Sequence, residues 1–192
     1  RHSFPTRRSS DLPILLLYCF EPSIMEYDDS DVRHWRFVFE SIQDIQKQLH
    51  HLGIDATIHV FHQEALFVFK HLAQLFTIKS VFSHQETGNQ LTFQRDISVG
   101  IFFRKEQIIW HESQTNGVIR KLKSRENWDA LWKQKMSSNP VSFEPSNLQF
   151  INLDRELYKK LKGPDLPDEI TTSNPNFQQG GETLAWRYLN SF

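Results

Sequence analysis

The stretch PILLLYCFEP, residues 13–22, decides the fold class of this 192-residue chain. Its apolar run extends from Ile14 to Phe20, has the length of a β-strand and is followed by Glu21 and Pro22. A short run of this kind is typical of a strand buried on both faces, and such strands lie inside parallel sheets. Because about 20 apolar residues are needed to cross a bilayer, the stretch predicts a sheet strand and no membrane segment.

Helical patterns alternate with further strand-like runs after this strand. Asp31 begins the first helical pattern, which ends at Gly53, and the later strand-like runs are residues 56–61, 80–83 and 107–110. The apolar members of the helical patterns are Trp35, Val38, Phe39, Ile42, Ile45, Leu49 and Leu52, then Leu66, Phe69, Leu72, Ala73 and Phe76, then Phe93, Ile97 and Ile101. Strands that alternate with helices indicate right-handed βαβ crossovers. The predicted fold is therefore α/β, a Rossmann-like parallel sheet with helices on both faces.

The composition favours one domain with an apolar core. Hydrophobic residues make up 39% of the chain and aromatic residues 13%, which excludes a disordered or collagen-like protein. The 22 Lys and Arg nearly balance the 23 Asp and Glu, so binding to nucleic acid or membrane would need a local patch. The single cysteine, Cys19, indicates a reducing compartment and is expected to be an inert thiol. We therefore expect a soluble, intracellular protein of the cytoplasm.

The two ends of the sequence do not look natural. Residues 1–12, RHSFPTRRSSDL, resemble a translated sequencing adapter, and they are excluded from the fold reasoning as an adapter-like artefact. The chain has no initiator Met and stops at Phe192 inside an amphipathic pattern. We interpret the sequence as an internal piece of a longer protein.

Metal and phosphate motifs are not found. There is no G-x-G-x-x-G and no G-x-x-x-x-G-K sequence that would cradle a phosphate. Among the nine histidines, His59 lies in a strand-like run and His62 follows it, so the two do not share a helix face. No cysteine or carboxylate completes a zinc spacing. We expect structural or surface histidines, no metal, and no Ser-His-Asp order.

A basic cluster lies ahead of a tryptophan-bearing helix. The cluster consists of Arg120, Lys121, Lys123 and Arg125, and the helix carries Trp128, Leu131 and Trp132. The basic residues could contact phosphates while the aromatic residues stack on bases. A solvated loop followed by a helix whose tryptophans face the core explains the pattern equally well. Both interpretations remain open at this point.

A second group of charges lies where the third strand enters a helix. Residues 85–90, QETGNQ, are polar and predict a loop at the strand end. Glu86 in this loop could hydrogen-bond a ring amide or hydroxyl of a ligand. Arg95 and Asp96 are predicted to form an ion pair that fixes the loop.

Four segments carry a family resemblance. They are HWRFVFESIQDIQKQL (residues 34–49), VFSHQETGNQLTFQRDISV (81–99), NGVIRKLKSRENWDALWKQKM (116–136) and GGETLAWRYLNSF (180–192). Together, and in this order, they resemble the cryptochrome and DNA photolyase family, and the likeness extends over residues 13–192. In that family an α/β domain, which can hold an antenna chromophore, is joined by a long linker to a helical domain that binds FAD. Reduced flavin in photolyases passes an electron to a pyrimidine dimer under blue light, whereas cryptochromes use similar parts for signalling.

The resemblance implies a division of the chain. Residues 13–138 would be an incomplete photolyase-type α/β domain, residues 139–181 the interdomain linker and residues 182–192 the first helix of an absent FAD domain. The first, central strand would also be absent, so residues 14–20 and 79–83 would flank a vacant strand position, and aggregation is expected. No catalytic residue is carried over, and this piece alone is expected to be inactive.

The resemblance also implies cofactors and partners. The parent protein would bind FAD outside this piece and act as a deoxyribodipyrimidine photo-lyase on damaged DNA. Glu86 is the expected contact for an antenna chromophore of folate or flavin type, and Arg120, Lys121, Lys123 and Arg125 are expected nucleic-acid contacts. The alternatives are a stand-alone α/β binding module, a cryptochrome-type light-signalling protein, or an adapter that binds nucleic acid through the basic cluster.

Overall fold

A computed structural model describes residues 12–120, 122–139 and 148–191. The strands are β1 (Leu16–Cys19), β2 (Ile58–Phe61), β3 (Ser80–His84) and β4 (Ile109–Ser113). The helices are α1 (Pro22–Met25), α2 (Val32–His51), α3 (Ala65–Leu75), α4 (Gln90–Lys105), α5 (Trp128–Met136), α6 (Arg155–Leu161), α7 (Asp168–Thr171) and α8 (Glu182–Leu189). Residues 1–11 of the adapter-like segment, Lys121 of the basic cluster, residues 140–147 of the predicted linker and Phe192 lie outside the described residues.

The strands form two parallel pairs. β1 pairs with β2 in the register Leu16↔Ile58, and β3 pairs with β4 in the register Ser80↔Ile109. Each pair is a separate two-stranded sheet. The predicted α/β class with parallel strands is confirmed, and helices connect the strands as the sequence indicates.

The described residues group into two compact units. The first unit comprises residues 12–64 together with residues 148–191, and the second comprises residues 65–120 with 122–139. β1 and β2 belong to the first unit, and β3 and β4 to the second.

The core of the first unit is closed by a residue from late in the chain. Phe20, Ile42 and Ile170 form its buried cluster, and Ile170, from the predicted linker, is 2% exposed. The ring of Phe20 meets that of Trp35 edge-on at a centroid distance of 6.1 Å. α2 supplies Ile42 because its apolar residues recur at helical spacing, and Asp31 caps its first turn by accepting from Arg33 N.

Residues 150–163 cover the open edge of β2. Tyr158 Oη donates to the carbonyl oxygen of Val60 at 2.8 Å, and His62 N donates to Lys162 O at 2.6 Å. Leu153 N donates to Nε2 of the buried His59 at 3.0 Å. Gly163 has a φ of +73°, and a Cβ there would overlap the His62 carbonyl oxygen. The bond to Val60 O satisfies a main-chain group at the edge of β2, and the bond from His62 N satisfies the first amide beyond the strand.

The core of the second unit centres on α4. Val99, Phe103 and Ile108 are buried together. The Phe103 ring is nearly perpendicular to those of Phe69, at 4.9 Å, and Trp110, at 5.4 Å. This edge-to-face arrangement is the favourable one for aromatic pairs.

Several predicted core positions are exposed instead. β1 is half-buried rather than buried on both faces. Ile45 and Leu52 of α2 are 47% and 58% exposed. In α4 the three apolar residues that mark the helix, Phe93, Ile97 and Ile101, are all exposed, because the helix packs through Thr92, Val99, Gly100 and Phe103. α4 is therefore apolar on two sides, and its packed side is not the one that the spacing indicates.

No helix in the described part of the chain has the length and apolar character needed to cross a membrane.

Candidate functional site

The loop between β3 and α4 lies at the carboxyl end of a parallel strand, the edge at which such sheets bind ligands. Gln85 N donates to Ser113 O at 2.9 Å and so holds the loop next to the end of β4. Asn89 caps α4, because its side-chain oxygen accepts from Leu91 N at 3.0 Å and from Thr92 N at 3.1 Å. The loop is thus fixed at both of its ends.

Glu86 folds back onto its own loop. Its Oε1 accepts from Thr87 N at 2.8 Å and from Gly88 N at 2.7 Å. A Cβ at Gly88 would lie 2.8 Å from Glu86 Oε1 and 2.9 Å from Thr92 Oγ1, so a side chain there would displace the Glu86 carboxylate. The other carboxylate oxygen, Oε2, lies 3.4 Å from Arg95 Nη2, a longer and weaker contact. Oε2 is therefore the oxygen that Glu86 can offer to a ligand.

Arg95 and Asp96 form the ion pair that the sequence predicts. Arg95 Nε lies 2.8 Å from Asp96 Oδ1, and both side chains are largely shielded from solvent. The predicted ion pair is confirmed, and Arg95 Nη2 also lies 3.4 Å from Glu86 Oε2.

Arg120 joins the same cluster. Its Nε donates to the main-chain oxygen of Glu86 at 2.7 Å, and its Nη2 donates to that oxygen as well. Its Nη1 lies 2.7 Å from Glu112 Oε1, and its Nη2 lies 3.1 Å from Asp96 Oδ2. Two guanidinium groups and three carboxylates are therefore linked at the ends of β3 and β4. We call Glu86, Arg95, Asp96, Glu112 and Arg120 the strand-end cluster.

The structure divides the predicted basic cluster. Arg120 is half-buried in the strand-end cluster, whereas Lys123 and Arg125 are exposed to solvent. Lys121 lies outside the described residues. Of the described members of the basic cluster, Lys123 and Arg125 are therefore the ones open to solvent.

The tryptophans of α5 do not face a core. Trp128 and Trp132 are 40% and 38% exposed, and no residue of α5 is buried. This contradicts the expectation of a core-facing helix. Trp128 Nε1 donates to Gly117 O at 3.3 Å, and a side chain at Gly117 would overlap the Trp132 ring. The tryptophans are held against the chain that precedes them.

The histidines carry structural roles where they are buried. His59 is 5% exposed, and burial lowers its pKa. Its Nε2 accepts from Leu153 N, which requires the neutral ring to carry its proton on Nδ1. In the described part of the chain, no group of three or more His, Cys, Asp or Glu is placed to hold a metal ion. Cys19 is half-buried in β1.

A cavity of about 520 Å³ lies in the first unit beside β2. Ile58 and Val60 of β2 and Phe39 of α2 form its apolar part, while Gln43 and Tyr158 contribute polar groups. Tyr158 Oη is committed to Val60 O, and burial raises its pKa. The strand-end cluster, by contrast, collects several charged groups at a sheet end, and it is the stronger candidate.

Sequence reasoning missed two features of these sites. Glu112 was not singled out, although its position at the end of β4 places it next to the third strand. The partners of the polar face of α2 were also missed, because the four-residue spacing of Arg36, Glu40 and Asp44 indicates a shared helix face but not what binds it.

The comparisons with known proteins give one family match and one structural likeness. The sequence model of the DNA photolyase family matches residues 6–127. No curated protein matches the sequence. The archaeal photolyase from Sulfolobus tokodaii, solved with two FAD molecules and described as implying a novel light-harvesting cofactor, aligns with a TM-score of 0.58 at 12% identity. The alignment covers 92% of this chain and 40% of that one.

The structural likeness shows the fold, since the identity is low. The match of the family model shows more, because it extends over more than half of the 192 residues. The predicted resemblance to the photolyase and cryptochrome α/β domain is confirmed. The chain belongs to the DNA photolyase family.

Proposed function

We propose that this chain is the antenna-type α/β part of a cryptochrome- or photolyase-like flavoprotein. The whole protein would carry out blue-light-driven, FAD-dependent repair of pyrimidine dimers in DNA, in the cytoplasm. Family membership supports this proposal, and the chain spans about 40% of the length of the archaeal photolyase that it resembles. FAD, when bound, supplies the light-excited electron donor of the repair. We assign no residue of this chain to FAD, and we expect the isolated chain to be inactive.

The observation that carries the antenna role is the geometry of Glu86. A folate- or flavin-type ring presents N–H donors, and Glu86 Oε2 is an acceptor at the carboxyl end of β3 whose contact with Arg95 Nη2 is long, at 3.4 Å. The Glu86 side chain is 33% exposed, so a ring can reach it. The described residues therefore fit an antenna chromophore at this position.

The other members of the strand-end cluster would position Glu86. Arg120 holds the main-chain oxygen of Glu86, and Arg95 lies against its carboxylate. Asp96 binds both arginines, at 2.8 and 3.1 Å, and keeps them in place. A ligand donor that binds Oε2 would replace the weak Arg95 contact and leave the Oε1 bonds to the loop intact. Charge-assisted bonds of this kind are stronger than neutral ones.

The test uses the complete open reading frame that contains this chain. Parent, Glu86→Gln and the matched surface variant Glu126→Gln are purified, and bound pigments are measured by absorbance. We expect a yellow, FAD-containing parent that splits pyrimidine dimers under blue light. Glu86→Gln should weaken antenna binding about tenfold, because a charged acceptor becomes neutral, while FAD content and flavin-driven repair stay unchanged. Glu126→Gln should behave as the parent.

Other results would point to the other functions. A colourless complete protein would contradict the flavoprotein proposal. A yellow protein that does not split dimers would indicate a cryptochrome-type signalling role. If the 192-residue chain alone unfolds cooperatively and keeps a chromophore, a stand-alone binding module is favoured.

Contact with DNA through the basic cluster is a further part of the proposal. Residues 65–143 hold eleven Lys and Arg against six Asp and Glu, a net charge of +5 within a chain whose total is −1. The exposure of Lys123 and Arg125 supports contact with phosphates. Replacing Lys123 or Arg125 by Ala in the complete protein should reduce the salt dependence of DNA binding by about one ion each. An unchanged slope would remove these residues from the interface.

A further inference from the structure

One face of α2 binds a later segment of the chain. Arg36, Glu40 and Asp44 are spaced four residues apart and therefore lie one above another on the helix. We call these three residues the α2 track. Each of them contacts the main chain or side chains of residues 169–183, all within the first unit.

Arg36 binds the first part of this segment. Its Nε donates to Glu169 O at 2.7 Å, and its guanidinium lies 5.7 Å from the centre of the Phe177 ring. Arg33 approaches the same ring at 5.7 Å. Arg36 is 7% exposed, which is unusual for a charged side chain unless it has partners.

Glu40 and Asp44 bind main-chain amides at the start of α8. Glu40 Oε2 accepts from Gly180 N at 2.8 Å, and Asp44 Oδ2 accepts from Thr183 N at 3.0 Å. The N-cap residue of α8, Gly181, has no side chain to satisfy the first amides of its own helix. Asp44 thus caps α8 from a different helix. Capping bonds of this kind define where a helix begins.

The glycine pair makes this approach sterically feasible. A Cβ at Gly180 would overlap the Phe37 carbonyl oxygen and lie 2.6 Å from Ser41 Oγ. Gly181 has a φ of +117°, which favours glycine, and a Cβ there would lie 2.8 Å from Asp44 Cβ. The track can therefore accept this segment only because both residues lack side chains.

The binding of this segment to the α2 track also includes an unfavourable free-energy contribution. Arg36 Nη1 and Glu40 Oε1 are both buried without a hydrogen-bond partner among the described residues. Buried polar atoms of this kind cost free energy that they regain when water reaches them. The binding of the segment is therefore weaker than its hydrogen bonds alone would make it, which favours reversible opening.

We propose that the α2 track is a reversible latch, in which Glu40 and Asp44 bind the amides of residues 180–183 and thereby fix the start and the direction of α8, while Ile170 keeps the earlier part of the segment in the core. The latch acts within the first unit and does not depend on the proposed antenna or repair function. The latch would make α2 the element that orients α8. Its release would free α8 while β1 and β2 remain paired.

Amide hydrogen exchange on the 192-residue chain tests the latch. Asp44→Asn and Glu40→Gln weaken the acceptors without changing side-chain size, and Asp55→Asn, on an exposed loop residue, is the matched control. We expect exchange of the amides of residues 180–189 to accelerate about tenfold in the first two variants, with β1 and β2 amides unchanged, as for a local opening. The control should show the parent's rates.

A glycine substitution tests the steric part. Gly180→Ala should release α8, while Gly53→Ala, at a positive φ with open space around it, should not. Unchanged exchange at residues 180–189 in Asp44→Asn and Glu40→Gln would overturn the proposal. So would an equal acceleration in α8 and in β1 and β2, because α8 would then open only with the whole unit. If Gly180→Ala unfolds the chain, the amide exchange rates of Asp44→Asn and Glu40→Gln decide whether the latch exists.

Discussion

The two units of this chain pair their strands in the same way but complete their packing differently. In the first unit, residues 150–163 cover the edge of β2, and Ile170 closes the core. In the second unit, α5 follows β4 but buries no residue. The strand pair and the helices of the second unit thus leave part of their apolar surface exposed. What completes the first unit is a segment from far along the chain.

The second unit accordingly keeps apolar surface exposed. Phe82 of β3 is 62% exposed and stacks on the exposed His111 across the strand pair, at 4.6 Å. Ile109 on the same face is 58% exposed, and Phe93 of α4 is 55% exposed. Phe82 and Ile109 lie on one face of the strand pair, and exposed apolar side chains that share a face promote association. Among the described residues, a late segment completes the core of the first unit, whereas the second unit keeps exposed apolar side chains on the face of β3 and β4.

Phe103→Ala is the substitution with the largest expected effect on stability. Removing this ring leaves a cavity among Phe69, Trp110 and Ile108, and should lower the free energy of unfolding of the second unit by about 3–5 kcal/mol. Hydrogen exchange should show the loss in β3 and β4, with β1 and β2 still protected. Ile101→Ala, on the exposed side of α4, is the control. Equal loss of protection in both strand pairs would show that the units unfold together.

A second substitution tests whether the late segment completes the first unit. Ile170→Ala should cost about 2–4 kcal/mol, because Ile170 is buried against Phe20 and Ile42. Thermal or denaturant unfolding measures the change. The exposed Leu189 provides the control, and Leu189→Ala should change stability by less than about 0.5 kcal/mol. A cost for Ile170→Ala as small as that of the control would remove the segment from the core.

Capping of α4 gives a smaller effect in the second unit. Asn89→Ala removes the bonds to Leu91 N and Thr92 N and should cost about 1 kcal/mol. It should also loosen the loop that carries Glu86, which faster exchange of the Thr87 and Gly88 amides would report. Asn89→Asp keeps an acceptor at the same place and should retain the protection. Loss of amide protection in both Asn89→Ala and Asn89→Asp would show that capping by residue 89 is not what holds the loop.

The latch of the first unit should respond to acid. Partial burial opposes ionisation of Asp44, yet hydrogen bonds from Thr183, Gln48 and Glu182 outweigh it and lower the pKa of Asp44 below its ordinary value of 3.8. A depressed carboxyl pKa stabilises the bound form above the ordinary pKa, and the stabilisation is lost as the pH falls through the lowered value. Exchange of α8 amides should therefore accelerate below about pH 4. Glu40 and Glu182 also lie at this contact, so Asp44→Asn must flatten the pH response if Asp44 is its source.

The smallest effect on stability is expected at the open face of the second unit. Phe82→Thr should change the free energy of unfolding by no more than about 0.5 kcal/mol, since Phe82 is largely exposed. It should nevertheless reduce self-association of the 192-residue chain in light scattering, because it removes apolar surface from that face. His71→Thr, on α3, serves as a control for the change in surface composition. Unchanged scattering would mean that this face does not drive association.

The order and type of the longer elements could be predicted because apolar residues recur at strand or helix spacing. Which face of a helix packs against the core could not always be predicted. Phe93, Ile97 and Ile101 have core-like spacing, yet Val99 and Phe103 face the core, because α4 is apolar on two sides and spacing alone does not choose between them. The short α6 was not predicted, since residues 155–161, RELYKKL, show little apolar periodicity.

The candidate site was predictable in its local part. Glu86, Arg95 and Asp96 are close in sequence, so their contact follows from the loop and the start of α4. The contacts of Arg120 with Asp96 and Glu112 depend on where β4 returns beside β3, and sequence spacing does not give that. The same holds for Arg36, whose partner Glu169 is 133 residues away.

The cover over the β2 edge has a consequence for how the protein is made. The bond from Leu153 to His59 joins residues 94 apart, and that from Tyr158 to Val60 joins residues 98 apart. Contacts of such separation form late and slowly, whereas the partners in the second unit lie close in sequence. During synthesis from the N-terminus, all residues of the second unit therefore leave the ribosome before residues 150–163, which cover the β2 edge of the first unit. We expect the strand pair that is made first to reach its final packing last, and a chaperone to meet the β2 edge while it is still bare.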